Sequence, residues 1–205
     1  MVKTLYLWDM ANTLFPEKWN ARKSGFPNYE VYVKSLGYDL KTISPRDYEW
    51  AYERPYCEGL FDLSITKGFK KVLSWTKNNA VFTTGNREQI DWRTENFLKQ
   101  SLFDPRPYFK KIHSTFDFGN TNKKTKKMII LLVKKIINNG YKTVVYTDDK
   151  LANCLFFEEA AKKIKRKGFK VRIYHLTNRK SGIKNKGKYF EIGNLFDLLK
   201  NEKKL

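Results

Sequence analysis

The sequence is poor in the residues that hold disulfide-rich and zinc-binding proteins together. Among its 205 residues are two histidines and two cysteines, Cys57 and Cys154. Two cysteines so far apart provide neither a disulfide framework nor a zinc site. A chain without disulfides is typical of a reducing compartment, and we therefore expect a cytoplasmic protein.

Long apolar runs are also lacking. No stretch of about 18 apolar residues occurs, so the sequence predicts no membrane span. The apolar run at the N-terminus is short and is interrupted by Asp9, which is unlike a signal peptide. With 41% hydrophobic residues, the chain has enough apolar side chains for one domain, or for a core domain with a small insert.

Acidic residues are scarce relative to basic ones. The chain has 21 Asp and Glu against 41 Lys and Arg, which gives a formal net charge of +20. Such a chain attracts polyanions, nucleic acid above all. Two explanations stay open: a basic surface that binds nucleic acid, or an A/T-rich genome that raises the number of lysines and asparagines without selection for binding.

Strand and helix patterns alternate along the chain. Alternation of this kind is typical of an α/β fold, here a Rossmann-like three-layer sandwich with a mostly parallel sheet. Residues 177–188 are predicted to form a polar loop. The predicted strands are 3–8, 80–83, 111–114, 143–146, 170–174 and 189–192, and the predicted helices are 64–78, 87–101, 123–138, 151–167 and 194–201.

Residues 15–60 differ from the rest of the chain because they are rich in aromatic residues. Within them, Ser44 followed by Pro45 is a typical helix start. We therefore expect a small helical cap insert at 15–60 and a core made of 1–14 and 61–205. Packing of a small insert explains its aromatic residues better than stacking on nucleic-acid bases does.

Polar residues follow three of the predicted strands. Asp9 follows the first strand, Thr84 the second, and Asp148 and Asp149 the strand at 143–146. Because ligands bind beyond the carboxyl ends of parallel strands, we expect these residues to share one crevice. Either aspartate alone would be an ordinary helix N-cap, and only the combination favours a site.

These segments resemble, in order, the motifs of the haloacid dehalogenase (HAD) superfamily. The segment Trp-Asp-Met-Ala-Asn-Thr-Leu at 8–14 is similar to the first motif, 81–86 to the second, and 144–153 to the fourth. The insert lies where the family has its small helical cap. The third motif is a lysine at a helix start, and we choose Lys126 from four competing residues: Lys123, Lys124, Lys126 and Lys127.

The resemblance implies a Mg²⁺-dependent phosphohydrolase. In such an enzyme an aspartate attacks phosphorus and forms an aspartyl-phosphate, while a metal ion offsets the negative charge of the phosphate. One metal ligand is the backbone carbonyl at position 11, which alanine retains. The residues implied are Asp9, Thr84 and Lys126 for catalysis, Thr84, Gly85 and Lys126 for phosphate binding, and Asp9, Ala11, Asp148 and Asp149 for the metal.

Ala11 is the main departure from the family. The family's phosphatases carry an aspartate here, which acts as general acid and base, a role typically worth roughly 10²–10⁴ in rate. The chain is a binding protein without catalysis, or an enzyme altered at an ordinary Asp-Met-Asp motif, or it forms a Schiff base as the family's phosphonatases do. The lysines available for a Schiff base are Lys18, Lys23, Lys34 and Lys41.

The expected substrate is a phosphate ester, either a phosphorylated small molecule or a nucleic-acid end. The segment Thr84-Gly85-Asn86, with Arg93 and Thr94 in the following helix, is similar to the superfamily's polynucleotide 3′-phosphatases. Together with the charge of +20, this makes a nucleic-acid end one candidate. The rival hypothesis is a catalytically inactive basic protein of the same fold that binds RNA, DNA or a ribonucleoprotein through its lysines.

Overall fold

A computed structural model describes residues 3–119, 123–164 and 166–204, apart from the side chains of Pro45, Arg46 and Glu49. The strands are β1 Thr4–Trp8, β2 Glu17–Trp19, β3 Phe61–Leu63, β4 Asn79–Thr83, β5 Phe109–Ser114, β6 Thr143–Asp148, β7 Lys170–Leu176, β8 Ile183–Asn185 and β9 Phe190–Ile192. The helices are α1 Ala21–Ser24, α2 Tyr29–Ser35, α3 Pro45–Cys57, α4 Phe69–Trp75, α5 Arg87–Ser101, α6 Lys126–Asn138, α7 Leu151–Lys163 and α8 Leu195–Glu202.

Seven of these strands form one sheet in the order β5-β4-β1-β6-β7-β9-β8. From β5 to β9 each strand runs parallel to its neighbour, and β8 pairs antiparallel to β9 at the edge. The first strand, β1, lies in the middle and is buried at four of its five positions. The mostly parallel α/β sheet that the sequence predicts is thus confirmed.

Helices cover both faces of the sheet. Successive side chains of a strand point to opposite faces, and β1 shows the result. Leu5 and Leu7 pack in an apolar cluster with α6 and α7, whereas Tyr6 and Trp8 pack in another with α4, α5 and α8. This three-layer arrangement buries β1 between two layers of helices.

A short antiparallel ribbon flanks the segment that contains α1, α2 and α3. Its strands, β2 and β3, place Glu17 opposite Leu63 and Trp19 opposite Phe61. We did not expect this ribbon, because strands of three residues are too short to show a period-two pattern. Beyond the ribbon, α2 and α3 enclose a small apolar cluster that includes Val33. The division into a core and a 15–60 cap stays a prediction.

Helix α4 and residues 177–188 are two further segments that differ from the predictions, besides shifts of a few residues at the ends of other elements. Helix α4 is shorter than the predicted 64–78, because the hydroxyl of Thr66 donates to the carbonyl of Thr13 at 2.8 Å and the left-handed Gly68 then begins the helix. Within the predicted loop 177–188, Ile183–Asn185 forms the edge strand β8. The first difference depends on a contact between distant parts of the chain, whereas β8 forms by antiparallel pairing with the nearby β9.

The structure bears on two expectations from composition, those about disulfides and about membrane spans. Cys57 is exposed, Cys154 is buried, and both are free thiols. Among the described residues, no helix is both long enough and apolar enough to cross a bilayer.

Candidate active site

Three carboxylates meet at the carboxyl edge of the sheet. Asp9 follows β1, and its backbone N–H donates to the carbonyl of Thr147 in β6 at 2.9 Å. Asp148 ends β6 and Asp149 follows it. Because β1 and β6 are parallel neighbours, these residues come to the same point, and one oxygen of each carboxylate lies within 4.8 Å of the others.

Lys124 lies between two of these carboxylates. Its Nζ is 2.5 Å from Oδ1 of Asp9 and 2.7 Å from Oδ2 of Asp148. It also donates to the hydroxyl of Tyr146 at 3.2 Å. The Lys124 side chain is only 1% exposed. A charge this deeply buried requires close partners, because the loss of its hydration costs several kcal/mol.

Lys126, the lysine chosen from the sequence, lies elsewhere. Thr125 is the N-cap of α6, and Lys126 in the first turn forms an ion pair with Glu159 of α7 near the surface. Lys124 precedes the helix, and its side chain reaches the carboxylates from there. The structure therefore corrects the choice: Lys124, not Lys126, is the lysine beside Asp9.

Hydrogen bonds hold Asp148 in place. The hydroxyl of Tyr146 donates to its Oδ2 at 2.5 Å, the backbone N–H of Lys150 donates to its Oδ1 at 2.8 Å, and the Asn153 amide is within 3.2 Å of both oxygens. Asn153 belongs to the segment that resembles the fourth motif. Tyr146 carried no such signal, because an aromatic residue in a buried strand is most simply explained as core.

Thr13 links the first and fourth motifs. Its Oγ1 lies 3.4 Å from Oδ2 of Asp9 and 3.3 Å from Oδ1 of Asp149, and it accepts from the backbone N–H of Asp149 at 3.0 Å. This threonine stands inside the first motif, but its residue type alone indicates no role. The structure shows that it fixes the two carboxylates relative to each other.

The electrostatics of the cluster favour a bound cation. Burial raises the pKa of Asp9, Lys124 opposes this, and the charges of Asp148 and Asp149 add to it, so that the pKa reaches about 7. Burial and the charge of Asp148 also raise the pKa of Asp149. Burial lowers the pKa of Lys124, but Asp148 and Asp9 outweigh it and raise that pKa overall.

The donor set fits Mg²⁺. Carboxylate oxygens are ligands that this ion prefers, and the three carboxylates lie close enough to share one ion after small side-chain adjustments. When all three are ionised, the single positive charge of Lys124 leaves two negative charges uncompensated. A divalent cation would balance these two negative charges.

A cavity of about 460 Å³ opens beside the carboxylates. Its lining includes Ala11, Thr84 and Gly85. The predicted phosphate-binding residues Thr84 and Gly85 therefore face the same cavity as Ala11, the residue that departs from the first motif. Gly85 adopts a φ of +98°, and a Cβ there would lie 2.6 Å from Oε1 of Gln89. The turn after β4 therefore requires glycine.

The opposite wall of the cavity carries a buried ion pair. Nε of Arg93 in α5 is 3.1 Å from Oε1 of Glu17 in β2. The hydroxyl of Tyr52 in α3 accepts from Nη2 of Arg93 at 2.6 Å and donates to Oε2 of Glu17 at 3.1 Å. In the sequence, Arg93 stands out only through the family resemblance, and Glu17 carries no signal because its partner is distant in sequence.

The lysines of the insert do not line this cavity. Lys23 donates to the carbonyl of Gly59, and Lys34 pairs with Glu30 at the surface. All four are exposed: Lys18, Lys23, Lys34 and Lys41. A Schiff-base lysine is activated by burial or by a neighbouring cation, so their exposure disfavours the phosphonatase-like reaction.

Solved structures with a similar fold include HAD family enzymes. The UTR4 protein of Saccharomyces cerevisiae is 12% identical, with 94% of this chain and 98% of that chain covered and a TM-score of 0.52. A HAD family enzyme of Bacteroides thetaiotaomicron is 15% identical, with 84% and 93% covered and a TM-score of 0.51. Its wild-type complex with magnesium and inorganic phosphate is 13% identical, with 91% and 98% covered and a TM-score of 0.51.

These similarities establish the fold. The chain shares the α/β architecture of these structures, among them the HAD family enzyme of Bacteroides thetaiotaomicron, which confirms the predicted fold class and the resemblance at the level of structure. Comparison of the sequence with protein-family profiles and with curated proteins gives no match.

Proposed function

We propose that this chain is a Mg²⁺-dependent phosphohydrolase that acts on a phosphate monoester, with Asp9 as the nucleophile. The observation that carries the proposal is the cluster of Asp9, Asp148 and Lys124 beside the cavity that Thr84 and Gly85 line. A neighbour of the same fold, the Bacteroides enzyme, forms a complex with magnesium and inorganic phosphate, which supports this choice of ligand.

Each residue has a role in the proposal. Lys124 holds the Asp9 carboxylate in position and favours its ionised form. Thr84 donates a hydrogen bond to the phosphate. Asp9, Asp148 and Asp149, with the backbone carbonyl of Ala11, would hold Mg²⁺, which supplies positive charge against the phosphate oxygens when it is bound.

The reaction has two chemical steps. In the first, a carboxylate oxygen of Asp9 attacks phosphorus, the bond from phosphorus to the leaving oxygen breaks, and an aspartyl-phosphate forms. In the second, water attacks that phosphorus and releases inorganic phosphate and free Asp9. An alkoxide leaving group needs a proton in the first step, and water needs a base in the second. Ala11 provides neither.

An aryl phosphate separates these steps, because its leaving group departs without a proton. We expect a burst of aryl alcohol close to one equivalent, followed by slow turnover, in stopped-flow measurements with Mg²⁺. Ala11→Asp should accelerate the slow phase by roughly 10²-fold or more. Ala21→Asp, at an exposed position of α1, is the matched control and should change nothing.

The absence of any reaction would overturn the proposal. If Ala11→Asp gives no burst and no turnover with aryl or alkyl phosphates, the hydrolase hypothesis is wrong. The binding hypothesis then replaces it, since Ala11 and the charge of +20 both favour it. In that case short RNA or DNA should bind with an affinity that falls steeply as salt increases.

A further inference from the structure

Aromatic side chains form one wall of the cavity beside Asp9. This aromatic wall consists of Tyr29, Tyr48, Tyr52 and Phe61. Its three tyrosines are only partly buried, whereas two other tyrosines of residues 15–60, Tyr32 and Tyr56, are 5% and 2% exposed. Packing within residues 15–60 therefore accounts for Tyr32 and Tyr56, but it leaves ring surface of the aromatic wall open to a ligand.

Two of the three hydroxyl groups of the aromatic wall bond to other protein groups. The hydroxyl of Tyr29 donates to the carbonyl of Ala51 at 3.2 Å, and that of Tyr52 donates to Glu17 at 3.1 Å. Burial raises the pKa of both tyrosines, so they stay uncharged near neutral pH. The charges of Arg93 and Glu17 offset each other. The aromatic wall therefore presents ring faces rather than charge, which favours an uncharged, apolar part of a ligand.

The arrangement of the rings favours a flat group. Tyr48 and Tyr52 stack at an interplanar angle of 15° with their centroids 5.9 Å apart, and Tyr29 stands at 90° to Tyr52 at 6.2 Å. Aromatic rings prefer offset-stacked and edge-to-face neighbours, and such a pair contributes about 0.5–1.5 kcal/mol beyond the burial of area. A planar ring in the cavity can make both kinds of contact, whereas a puckered aliphatic ring of similar size cannot.

The remaining lining of the cavity limits how such a ring is attached to phosphate. Thr84 and Gly85, which are proposed to bind the phosphate, line the cavity together with Ala11. Ala11 cannot protonate a leaving oxygen. An alkoxide therefore leaves slowly, whereas a phenolate leaves without a proton because its ring delocalises the negative charge. The aromatic wall and Ala11 are independent observations, and both favour an ester whose oxygen is bonded directly to an aromatic ring.

We propose that the substrate is an aryl phosphate whose ring lies against the aromatic wall and whose phosphate lies toward Asp9. A carboxylate oxygen of Asp9 bonds to phosphorus, the bond between phosphorus and the phenolic oxygen breaks, and its electron pair stays on that oxygen. The phenolate takes a proton from solvent after it leaves. The inference rests on the proposed function, because it names the substrate class of the same site.

Phosphonates test the aromatic wall without any reaction, because the proposed chemistry does not cleave a bond between carbon and phosphorus. In benzylphosphonate a methylene replaces the ester oxygen, and cyclohexylmethylphosphonate differs from it in having a puckered ring. By calorimetry on the full chain with Mg²⁺, benzylphosphonate should bind about tenfold more tightly, which corresponds to about 1.4 kcal/mol. Hydrophobicity alone would favour the cyclohexyl compound.

Variants at Tyr48 test whether the ring makes the contact. Tyr48→Leu removes the ring and should reduce the preference for benzylphosphonate by about threefold or more, whereas Tyr48→Phe keeps the ring and should keep the preference. Tyr108→Leu, at an exposed tyrosine that does not line this cavity, is the matched control and should change nothing. If Tyr48→Leu does not fold, the two phosphonates on the unaltered protein still decide the matter.

A pair of esters tests the link to Ala11. Phenyl phosphate and benzyl phosphate both carry a flat ring, but only phenyl phosphate releases a phenolate. In rapid-quench measurements with Mg²⁺, phosphorylated Asp9 should form from phenyl phosphate at least about 10²-fold faster than from benzyl phosphate. Ala11→Asp should narrow that difference, because the added carboxyl group supplies the proton that an alkoxide needs.

The substrate class and the hydrolase fail in distinguishable ways. Equal affinity for the two phosphonates, no binding of either, or an undiminished preference in Tyr48→Leu would overturn the binding of a ring at the aromatic wall. Benzyl phosphate that reacts as fast as phenyl phosphate would overturn the assignment of an aryl ester. Phosphorylated Asp9 without any preference between the phosphonates leaves the phosphohydrolase and removes only this substrate class. A preference for benzylphosphonate without any phosphorylated Asp9 supports the ring contact and contradicts the hydrolase.

Discussion

Two cavities of similar size lie in this molecule, and their charged groups are arranged in opposite ways. The first, of about 460 Å³, is lined by the buried ion pair of Arg93 and Glu17 and lies next to the buried pair of Lys124 and Asp9. The other, of about 440 Å³, opens near the start of β1 and the end of α6. Its cationic lining consists of exposed lysines: Lys3, Lys110, Lys111 and Lys135.

The two cavities show that the net charge of the chain does not by itself indicate a reactive site. The lysines of the second cavity contribute to the charge of +20 but stay hydrated, so each is worth little as a fixed group. The buried Lys124 is held by two carboxylates at 2.5 and 2.7 Å and occupies one position. A reactive site needs such fixed groups, whereas attraction of a polyanion needs only the charge.

The first prediction concerns the loss of Lys124, which pairs with Asp9 and Asp148. Lys124→Met leaves Asp9 and Asp148 without their common counter-ion, and we expect a loss of about 3–5 kcal/mol in the free energy of unfolding. Urea unfolding at neutral pH measures it. Lys126→Met, which removes the surface pair with Glu159, should cost less than about 1 kcal/mol. Equal losses in both variants would contradict the placement of Lys124.

The second prediction concerns His113, which lines the other cavity. Burial, with the charges of Lys111 and Lys135, lowers the pKa of His113 to about 4. In the unfolded chain, His113 therefore binds a proton near pH 6.5, whereas in the folded protein it is still neutral at that pH. The stability that neutral His113 contributes to the folded protein is fully present above about pH 6.5 and is lost as the pH falls toward 4.

His113→Phe removes that titration and is the test. Between pH 7 and 4.5 the unaltered protein should lose up to about 3 kcal/mol more than the variant, because each unit of pKa shift corresponds to about 1.4 kcal/mol. Unfolding curves at several pH values give the difference. Parallel pH profiles of the two proteins would show that His113 keeps an ordinary pKa.

The third prediction sharpens the metal assignment. At ten times its dissociation constant, Mg²⁺ should stabilise the protein by about 1.4 kcal/mol through mass action, which appears as a rise in Tm. Asp148→Asn should erase the rise, and Asp91→Asn, at an exposed position of α5, should keep it. A rise of equal size in both variants would mean that the ion binds elsewhere.

The sequence predicted the carboxylates well because topology alone brings them together. Asp9 and Asp148 follow strands that a parallel sheet places side by side, and no side-chain detail is needed. Lys124 was harder to identify because three other lysines stand nearby. Thr125, an N-cap residue type, was the overlooked signal, since it places Lys126 inside the helix and Lys124 before it.

The Arg93–Glu17 pair was beyond sequence reasoning. It joins the core helix α5 to the short strand β2, and neither period nor spacing links the two residues. The ribbon of β2 and β3 that positions Glu17 has three residues in each strand, too few for a pattern. What the sequence missed is therefore the contact between residues 15–60 and α5.

The covalent intermediate tests the central claim most directly. The protein is mixed with an aryl phosphate and Mg²⁺, quenched in acid and analysed by peptide mass spectrometry. We predict a phosphoryl group on Asp9 that accumulates because Ala11 cannot activate water, that turns over in Ala11→Asp, and that is absent from Asp9→Asn. If no phosphoryl group forms on Asp9, or if Asp9→Asn gives the same burst, Asp9 is not the nucleophile and the account is wrong.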